Sequence, residues 1–584
     1  MYMKRFALIT VASTVLAFAW GCPSSGPIVV CVGPVTVDTA LTGDTVWAEV
    51  NVDSTCVDYE VTTNLDFDSL LTIEPGVVVA FAVDTHLRVI AGGALNAVGT
   101  ADEPILLTGM LAQRGFWNGV VYENTQRTEN QLAYVTIEYA GGEDLADQPA
   151  NLASDQGAVV SLSNVTLRES GGYGLFVERN ATATFADSVS TQNTLGPAFA
   201  STSSVHNLLG SSSYTGNDVD EIHVSPNEAD GTYTWENTGV PLRVLTDLNA
   251  EGFNITGDLT IMPGVIVMFE AGMRMMVTGS SSLRAMGTAT QPIVFTGTQA
   301  TPGYWCGVYA KDTNLTFDNV TVEYGGCAEK GGFTANLTCD SSDITSTSCS
   351  VTNSTLRGSG AFGMGVRFGV AFADFTGNTL EDNVEGAAQV FASNIHHLRT
   401  SSSYDGDVDV FANHIEQAVT WDNLGVDYVV QADLDTQAFS VDAGGNLTIS
   451  PGVTIRFEND MALGVIHGGS LTAVGTETEK ISFIADANGW RGLWVQWGTM
   501  TFDYIVVNNA GSIAKLSDSP AAVTIVNGGQ GGDSYVDFGS VTEGTGNPNG
   551  VAFDSFNAFA VETPGCFGMG GIIRSSPTPQ PKCN

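Results

Sequence analysis

One six-residue run returns twice at a fixed offset, and that recurrence limits the fold more than any other feature of the chain. Leu71-Thr72-Ile73-Glu74-Pro75-Gly76 reappears as Leu259-Thr260-Ile261-Met262-Pro263-Gly264 and as Leu447-Thr448-Ile449-Ser450-Pro451-Gly452, 188 residues further on each time. Other landmarks keep the same order. Leu95-Asn96-Ala97-Val98-Gly99-Thr100 corresponds to Leu283–Thr288 and Leu471–Thr476, and Trp117-Asn118-Gly119 to Trp305-Cys306-Gly307 and Trp490-Arg491-Gly492. Trp47, Trp235 and Trp421 open the three copies, and the third copy decays after about residue 512. Internal repetition of this kind is the signature of stacked units, none of which buries its apolar face alone.

Within each copy the pattern has period two. After each Pro-Gly come Val77-Val78-Val79-Ala80-Phe81, Val265-Ile266-Val267-Met268-Phe269 and Val453-Thr454-Ile455-Arg456-Phe457. The first, third and fifth positions stay large and apolar, while the second and fourth drift to Thr454 and Arg456, so the first set faces a core and the second faces water. Pro-Gly suits a type II turn, since Pro fixes φ and Gly accepts φ > 0. Leu71 and Leu95 are 24 residues apart, and the other two copies keep that spacing. Strand–turn pieces recurring every 20–28 residues match one coil of a solenoid. The spacing predicts about 20–24 coils and, at about 4.8 Å per coil, a rod of roughly 100 Å.

The run L-T-I-x-P-G-V-x-V-x-F, then G-x-L-x-A-x-G-T, P-I-x-F-T, W-x-G-V and V-T-V-E-Y-G-G resembles the right-handed parallel β-helix repeats of bacterial surface proteins, within the pectate-lyase-like superfold. The resemblance spans roughly residues 40–560. It implies an all-β, right-handed parallel β-helix solenoid built from three copies of a ~188-residue repeat. Rival folds are three β-sandwich domains, which do not usually repeat a 24-residue turn pattern, and a propeller, whose blades repeat at about 40–50 residues. The expected organisation is a signal at 1–21, a tether and cap at 22–45, repeats at 46–233, 234–419 and 420–560, and a tail at 561–584. The copies form either one continuous rod or three jointed segments, the joints then falling at 201–231 and 401–420, where Ser, Asn, Asp and Gly gather.

The N-terminus reads as an export signal: Lys4 and Arg5 precede an apolar run from Phe6 to Ala19. Ala17-Phe18-Ala19 offers an A-x-A cleavage site for secretion, whereas Ala19-Trp20-Gly21-Cys22 resembles the lipobox of bacterial lipoproteins, which implies an acylated Cys22. No apolar run after residue 20 reaches about 18 residues, the length of a membrane-spanning helix. There are nine cysteines. Acylation of Cys22 leaves an even number for disulfides in an oxidising compartment: Cys31, Cys56, Cys306, Cys327, Cys339, Cys349, Cys566 and Cys583. Nearest-neighbour pairing joins them in that order, although the sequence does not dictate connectivity. With no C-x2-C pair, zinc is disfavoured.

Chemistry is sparser. The formal charge is −42, with 21 Lys+Arg against 63 Asp+Glu, which excludes a nucleic-acid binder dependent on phosphate contacts. Hydrolases of the superfold use clustered Asp, including an adjacent pair, yet this chain has no Asp-Asp, and its lyase counterparts need Arg beside a Ca2+-holding acidic cluster. Two acidic runs occupy equivalent positions: Asp218, Asp220 and Glu221, and Asp405, Asp407 and Asp409. Alternating carboxylates can supply oxygens to Ca2+, or simply line a solvated turn. By alternation Val120, Val308 and Leu493 face inward and Val121, Tyr309 and Trp494 outward. Tyr309 and Trp494, with Trp497 nearby, form a candidate glycan platform. His467 replaces Ala91 and has no counterpart in the other copies. The reading is a non-catalytic lipoprotein of the outer membrane or cell surface, held to the membrane by lipid on Cys22, serving as a glycan-binding, adhesive or structural rod. Periplasmic or secreted forms are the alternative addresses, and a polysaccharide lyase or glycoside hydrolase is the alternative function.

Overall fold

The computed structural model describes residues 31–510, apart from 144–145, 147, 247–251, 328–333, 343–346, 368, 432–437, 460, 486–488 and 509, together with five strands beyond them (Val523–Val526, Tyr535–Phe538, Ala552–Asp554, Phe559–Glu562 and Ile572–Arg574). It is an all-β parallel solenoid of about 17 turns. Every strand pairing is parallel and joins equivalent positions of successive turns: Leu71 lies against Leu95, Leu259 against Leu283 and Leu447 against Leu471. At about 4.8 Å per turn the stack measures roughly 80 Å. That is shorter than the coil spacing predicts, because several turns carry inserted loops. Successive strands of one sheet begin at His86, Gly119 and Ala150, 33 and 31 residues apart.

The two repeated turn motifs meet one another. Gly76, Gly264 and Gly452 have φ of 81°, 83° and 80°, which a type II turn requires at that position. Their N–H groups donate to the carbonyls of Glu103, Gln291 and Glu479 on the next turn, each at 3.1 Å. Those residues are set by Thr100, Thr288 and Thr476, whose hydroxyls accept from the Glu103, Gln291 and Glu479 N–H at 2.9–3.0 Å. The preceding Gly99, Gly287 and Gly475 leave no room for a side chain, since a Cβ would lie 2.9, 2.4 and 2.6 Å from the Tyr134, Asn319 and Tyr504 carbonyl oxygens.

Apolar side chains at the inward positions form one continuous core. Phe81, Phe269 and Phe457 stack flat on Trp117, Trp305 and Trp490, with ring centroids 4.0, 4.3 and 4.0 Å apart. Each indole N–H donates to a backbone carbonyl at the corner: Glu138 at 2.8 Å, Glu323 at 2.8 Å and Asn508 at 3.0 Å. The buried ring and its donor are thus both satisfied.

Backbone pairing runs unbroken through 201–231 and 401–420. Phe199 lies against His223 and Ile222 against Leu242 at the first joint; Phe391 lies against Phe411 and Val408 against Tyr428 at the second. A 3-10 helix, Thr202–Asn207, lies in the first joint, and another, Ala392–His397, just precedes the second. A 14-stranded sheet from Leu65–Phe67 to Ser403–Tyr404 crosses the first joint, and a 12-stranded sheet from Gly252–Ile255 to Ala552–Asp554 crosses the second. Equivalent segments change sheet at each joint. The strand after Pro-Gly lies in a seven-stranded sheet as Val78–Phe81, in the 14-stranded sheet as Ile266–Phe269 and in the 12-stranded sheet as Thr454–Phe457.

Replacing Trp305 separates packing from hydrogen bonding. Trp305→Phe is expected to cost about 1–3 kcal/mol through the carbonyl it leaves unpaired, and Trp305→Ala about 3–5 kcal/mol through the cavity. Urea titration of both variants checks the order, and equal losses would remove the hydrogen-bond argument.

Candidate functional site

Alternation along each strand decides which side chains reach the surface. Leu493 and Val495 enter the core, so Trp494 lies on the outer face of a six-stranded sheet running from His414–Ile415 to Phe559–Glu562. Its register neighbour is Gly464. A Cβ at Gly464 would stand 2.4 Å from Trp494 Nε1 and 2.5 Å from Cε2, so the indole lies across the neighbouring strand and glycine is what admits it. The ring is half-buried. Trp497 occupies the corner after that strand with φ 56°, directly after the His467 corner (φ 51°) of the previous turn. The Trp497 and His467 ring centroids are 5.7 Å apart. His467 Nδ1 lies 2.9 Å from Asp442 Oδ1, and His414 Nδ1 lies 2.7 Å from Ser440 Oγ and 3.9 Å from Asp442 Oδ2. The Asp442 carboxyl is lowered: its bonds to the Ala443 N–H and to His467 outweigh its partial burial. An aromatic floor and a fixed imidazole–carboxylate pair thus share one edge of this sheet.

Tyr309 does not join that group. It projects from Val308–Lys311 in the 12-stranded sheet, seven strand steps from Ile481–Ala485, which precedes the Trp494 strand. Its hydroxyl donates to Asp340, and the Arg274 guanidinium stands 5.6 Å from its ring centroid. Burial pushes the phenol up, with the Asp340 hydrogen bond adding to it. The platform read from alternation is therefore divided between two sheets, and Tyr309 is engaged by its own chain. Val121, in the equivalent position of the first copy, is buried in an outer apolar cluster with Tyr173 and Phe176.

Most carboxylates of the acidic runs are engaged by arginines or by backbone and amide donors of the chain itself. Asp218 pairs with Arg114 at 2.8 Å, Asp220 accepts from the Gly216 and Asn217 N–H at 3.1 and 2.8 Å, and Glu221 pairs with Arg243 at 3.1 Å. Asp405 is exposed, Asp407 pairs with Arg456 at 3.1 Å, and the buried Asp409 accepts from Gln431. Among the described residues no three His, Cys, Asp or Glu side chains converge as a metal would need. Burial drives Asp409 up to about 7, helped by Glu458, Asp407 and Glu385 and opposed by the Gln431 bond.

Cys31–Cys56, Cys306–Cys327 and Cys339–Cys349 are disulfides, with Cα–Cα separations of 5.5, 4.5 and 6.7 Å. Cys22, Cys566 and Cys583 lie outside the described residues.

Sequence reasoning missed three features of these outer faces. Gly464 carries a signal only beside Met276 and Arg88, the larger residues at its equivalent positions. Phe199 stands outward between the inward Ala198 and Ala200, packed on Tyr173 and Phe176, with centroids 5.4 and 5.6 Å apart. A polar cleft beside Arg88 and Glu123 had no sequence signature at all. No known protein family, curated protein or solved structure matches this chain.

Asp409 gives a pH dependence of definite sign. A carboxyl raised in the folded state stabilises fully below about pH 4 and loses that contribution as pH rises to and past about 7. Asp409→Asn is expected to flatten this fall, worth roughly 2–4 kcal/mol in the wild-type chain. Chemical denaturation at pH 5 and pH 8 checks it, and an unchanged difference between the two pH values in the variant would rule out Asp409 as the source.

Proposed function

We propose that this chain is an exported, lipid-anchored β-helix that binds polysaccharide without cleaving it. The observation that carries the reading is the half-buried Trp494 indole, laid across Gly464 on the outer face of its sheet, with Trp497, His467 and Asp442 at the following corner. A flat, half-buried ring offers a pyranose ring an apolar contact, and the oriented imidazole and carboxylate at the next corner offer hydroxyls hydrogen bonds. Right-handed coiling follows the near-universal sense of parallel crossovers, and three related segments follow from the 188-residue offsets. Three disulfides fit an oxidising, exported setting. The lipobox-like Ala19–Cys22 places acylation at Cys22, nine positions before Cys31, and so puts the first turn next to a cell-surface or outer-membrane bilayer. Calcium at the acidic runs is not part of this reading, since Arg and backbone partners already hold most of those carboxylates.

A second reading, polysaccharide cleavage, draws on one observation. Asp409 is a buried carboxyl that accepts from Gln431, and burial first, then Glu458, Asp407 and Glu385, push it up to about 7, a property suited to a general acid.

Incubation of the mature chain with neutral and acidic polysaccharides, with Ca2+ and with chelator, separates these readings. Retention without cleavage is expected, with Trp494→Ala weakening it about tenfold. Cleavage with turnover that Asp409→Asn abolishes would replace binding with catalysis. In cells, Cys22→Ala is expected to move the protein from the membrane fraction to the soluble one.

A further inference from the structure

The surface around Trp494 has a counterpart at the equivalent repeat position of the first copy, on a different sheet and with different chemistry. Arg88, Val121, Glu123 and Asn124 correspond in order to Gly464, Trp494, Gln496 and Trp497, and Ala91 to His467. Register repeats the relation: Val121 lies against Arg88 as Trp494 lies against Gly464. Beside the buried Val121 of the first copy is a cleft of about 420 Å³ on the outer face of the 14-stranded sheet, lined by Asp66, Arg88, Ile90, Glu123, Asn124 and Gln156 among others. Asn124 and Gln156 are corner residues with φ 50° and 49°.

The lining mixes hydrogen-bond acceptors and donors without a large excess of either charge. Arg88 and Glu123 form an ion pair whose side chains keep 31% and 19% of their surface exposed, and Asp66, 49% exposed, binds His86 Nε2 at 3.1 Å. Asn124 and Gln156 add neutral amides, and Ile90 an apolar wall. Fixed carboxylates, a guanidinium and amides around one small cavity match the vicinal hydroxyls of a sugar, each able to donate and accept. The cleft has no aromatic floor, so ring stacking is not its means of recognition.

We propose that this cleft is a second carbohydrate subsite, taking a neutral sugar unit through hydrogen bonds to Asp66, Arg88, Glu123, Asn124 and Gln156. The inference rests on the reading of the rod as a polysaccharide binder, and it makes that rod a reader of two kinds of sugar surface. The Trp494 site takes the ring face, and the first-copy cleft takes the hydroxyl edge. The two lie on different sheets, so each binds its own segment of ligand.

Affinity electrophoresis of the full mature chain in gels containing hydroxyethylcellulose, with calorimetry on a neutral β-glucan trisaccharide, tests it. Four forms are compared: wild type, Trp494→Ala, the double variant Arg88→Gln/Glu123→Gln, and all three substitutions together. In the Trp494→Ala background, Arg88→Gln/Glu123→Gln is expected to weaken trisaccharide binding about tenfold. Gln156→Ala, which touches no ion pair, is expected to weaken it about threefold and guards against a folding effect. Unchanged trisaccharide affinity on adding Arg88→Gln/Glu123→Gln overturns the cleft while leaving the Trp494 site standing. An effect of Arg88→Gln/Glu123→Gln with none from Trp494→Ala does the reverse. No retention of wild type by the neutral polymer, and no trisaccharide binding, overturns both.

Discussion

Everything else in this molecule depends on one constraint: each turn of chain must hydrogen-bond, strand by strand and corner by corner, to the turn before it. The corners are where this is hardest, because a backbone that changes direction exposes polar groups that a strand ladder cannot satisfy. Here the Pro-Gly corner of one turn donates to the Gly-Thr corner of the next in all three segments. The Thr hydroxyl holds the acceptor in place, and the glycine before it lets the neighbouring carbonyl approach. The Trp117, Trp305 and Trp490 indoles do the same from inside, filling the core against a Phe while satisfying another corner carbonyl. A stack built this way grows turn by turn, with stability set by each interface between neighbours.

That stacking rule does not require the cross-section to stay constant, and at the joints it changes. At each joint two sheets end, two begin, and one runs straight through, so the pairing is never broken. The equivalent outward position therefore sits on the 14-stranded sheet at Val121, on the 12-stranded sheet at Tyr309 and on a six-stranded sheet at Trp494. A sequence repeat that suggests one binding face repeated along a rod instead gives three positions on three sheets. Each lies in different surroundings with its own chemistry: an apolar cluster beside a polar cleft, a tyrosine locked to Asp340, and an indole laid across Gly464.

The architecture was legible because the corner glycines, the Phe–Trp pairs and the inward alternation are all local and obligatory. Leu71 and Leu95 could be assigned to neighbouring turns from spacing alone. The number of turns was less legible, since loops inserted after Gly109 and Glu138 lengthen a turn without disturbing the strands on either side. The surface was legible only in part. Alternation correctly sent Trp494 and Tyr309 outward, but it carries no information about what lies across the sheet, so it could not separate an indole resting on Gly464 from a phenol held by Asp340. The acidic runs looked like candidate calcium ligands because their arginine partners are distant in sequence: Arg114 reaches Asp218 across 104 residues and Arg456 reaches Asp407 across 49.

Those long-range pairs also govern which ligands the rod can accept. With three times as many acids as bases, the arginines are drawn to carboxylates on adjoining turns: Arg168 to Glu138, Arg243 to Glu221 and Glu270, Arg357 to Glu323. Such partly exposed pairs add little stability one by one, but they neutralise guanidinium groups that could otherwise greet an anion. The remaining carboxylates set the field within about a Debye length of the surface, about 8 Å at physiological ionic strength, and that field repels a polyanion as it closes to contact. Recognition must then come from groups whose strength does not depend on net charge: aromatic faces, oriented imidazoles and amides, and ion pairs presenting a donor and an acceptor together. The Trp494 face and the Arg88–Glu123 cleft are both of this kind, which is why the ligand we propose for this surface is an uncharged, hydroxyl-rich polymer.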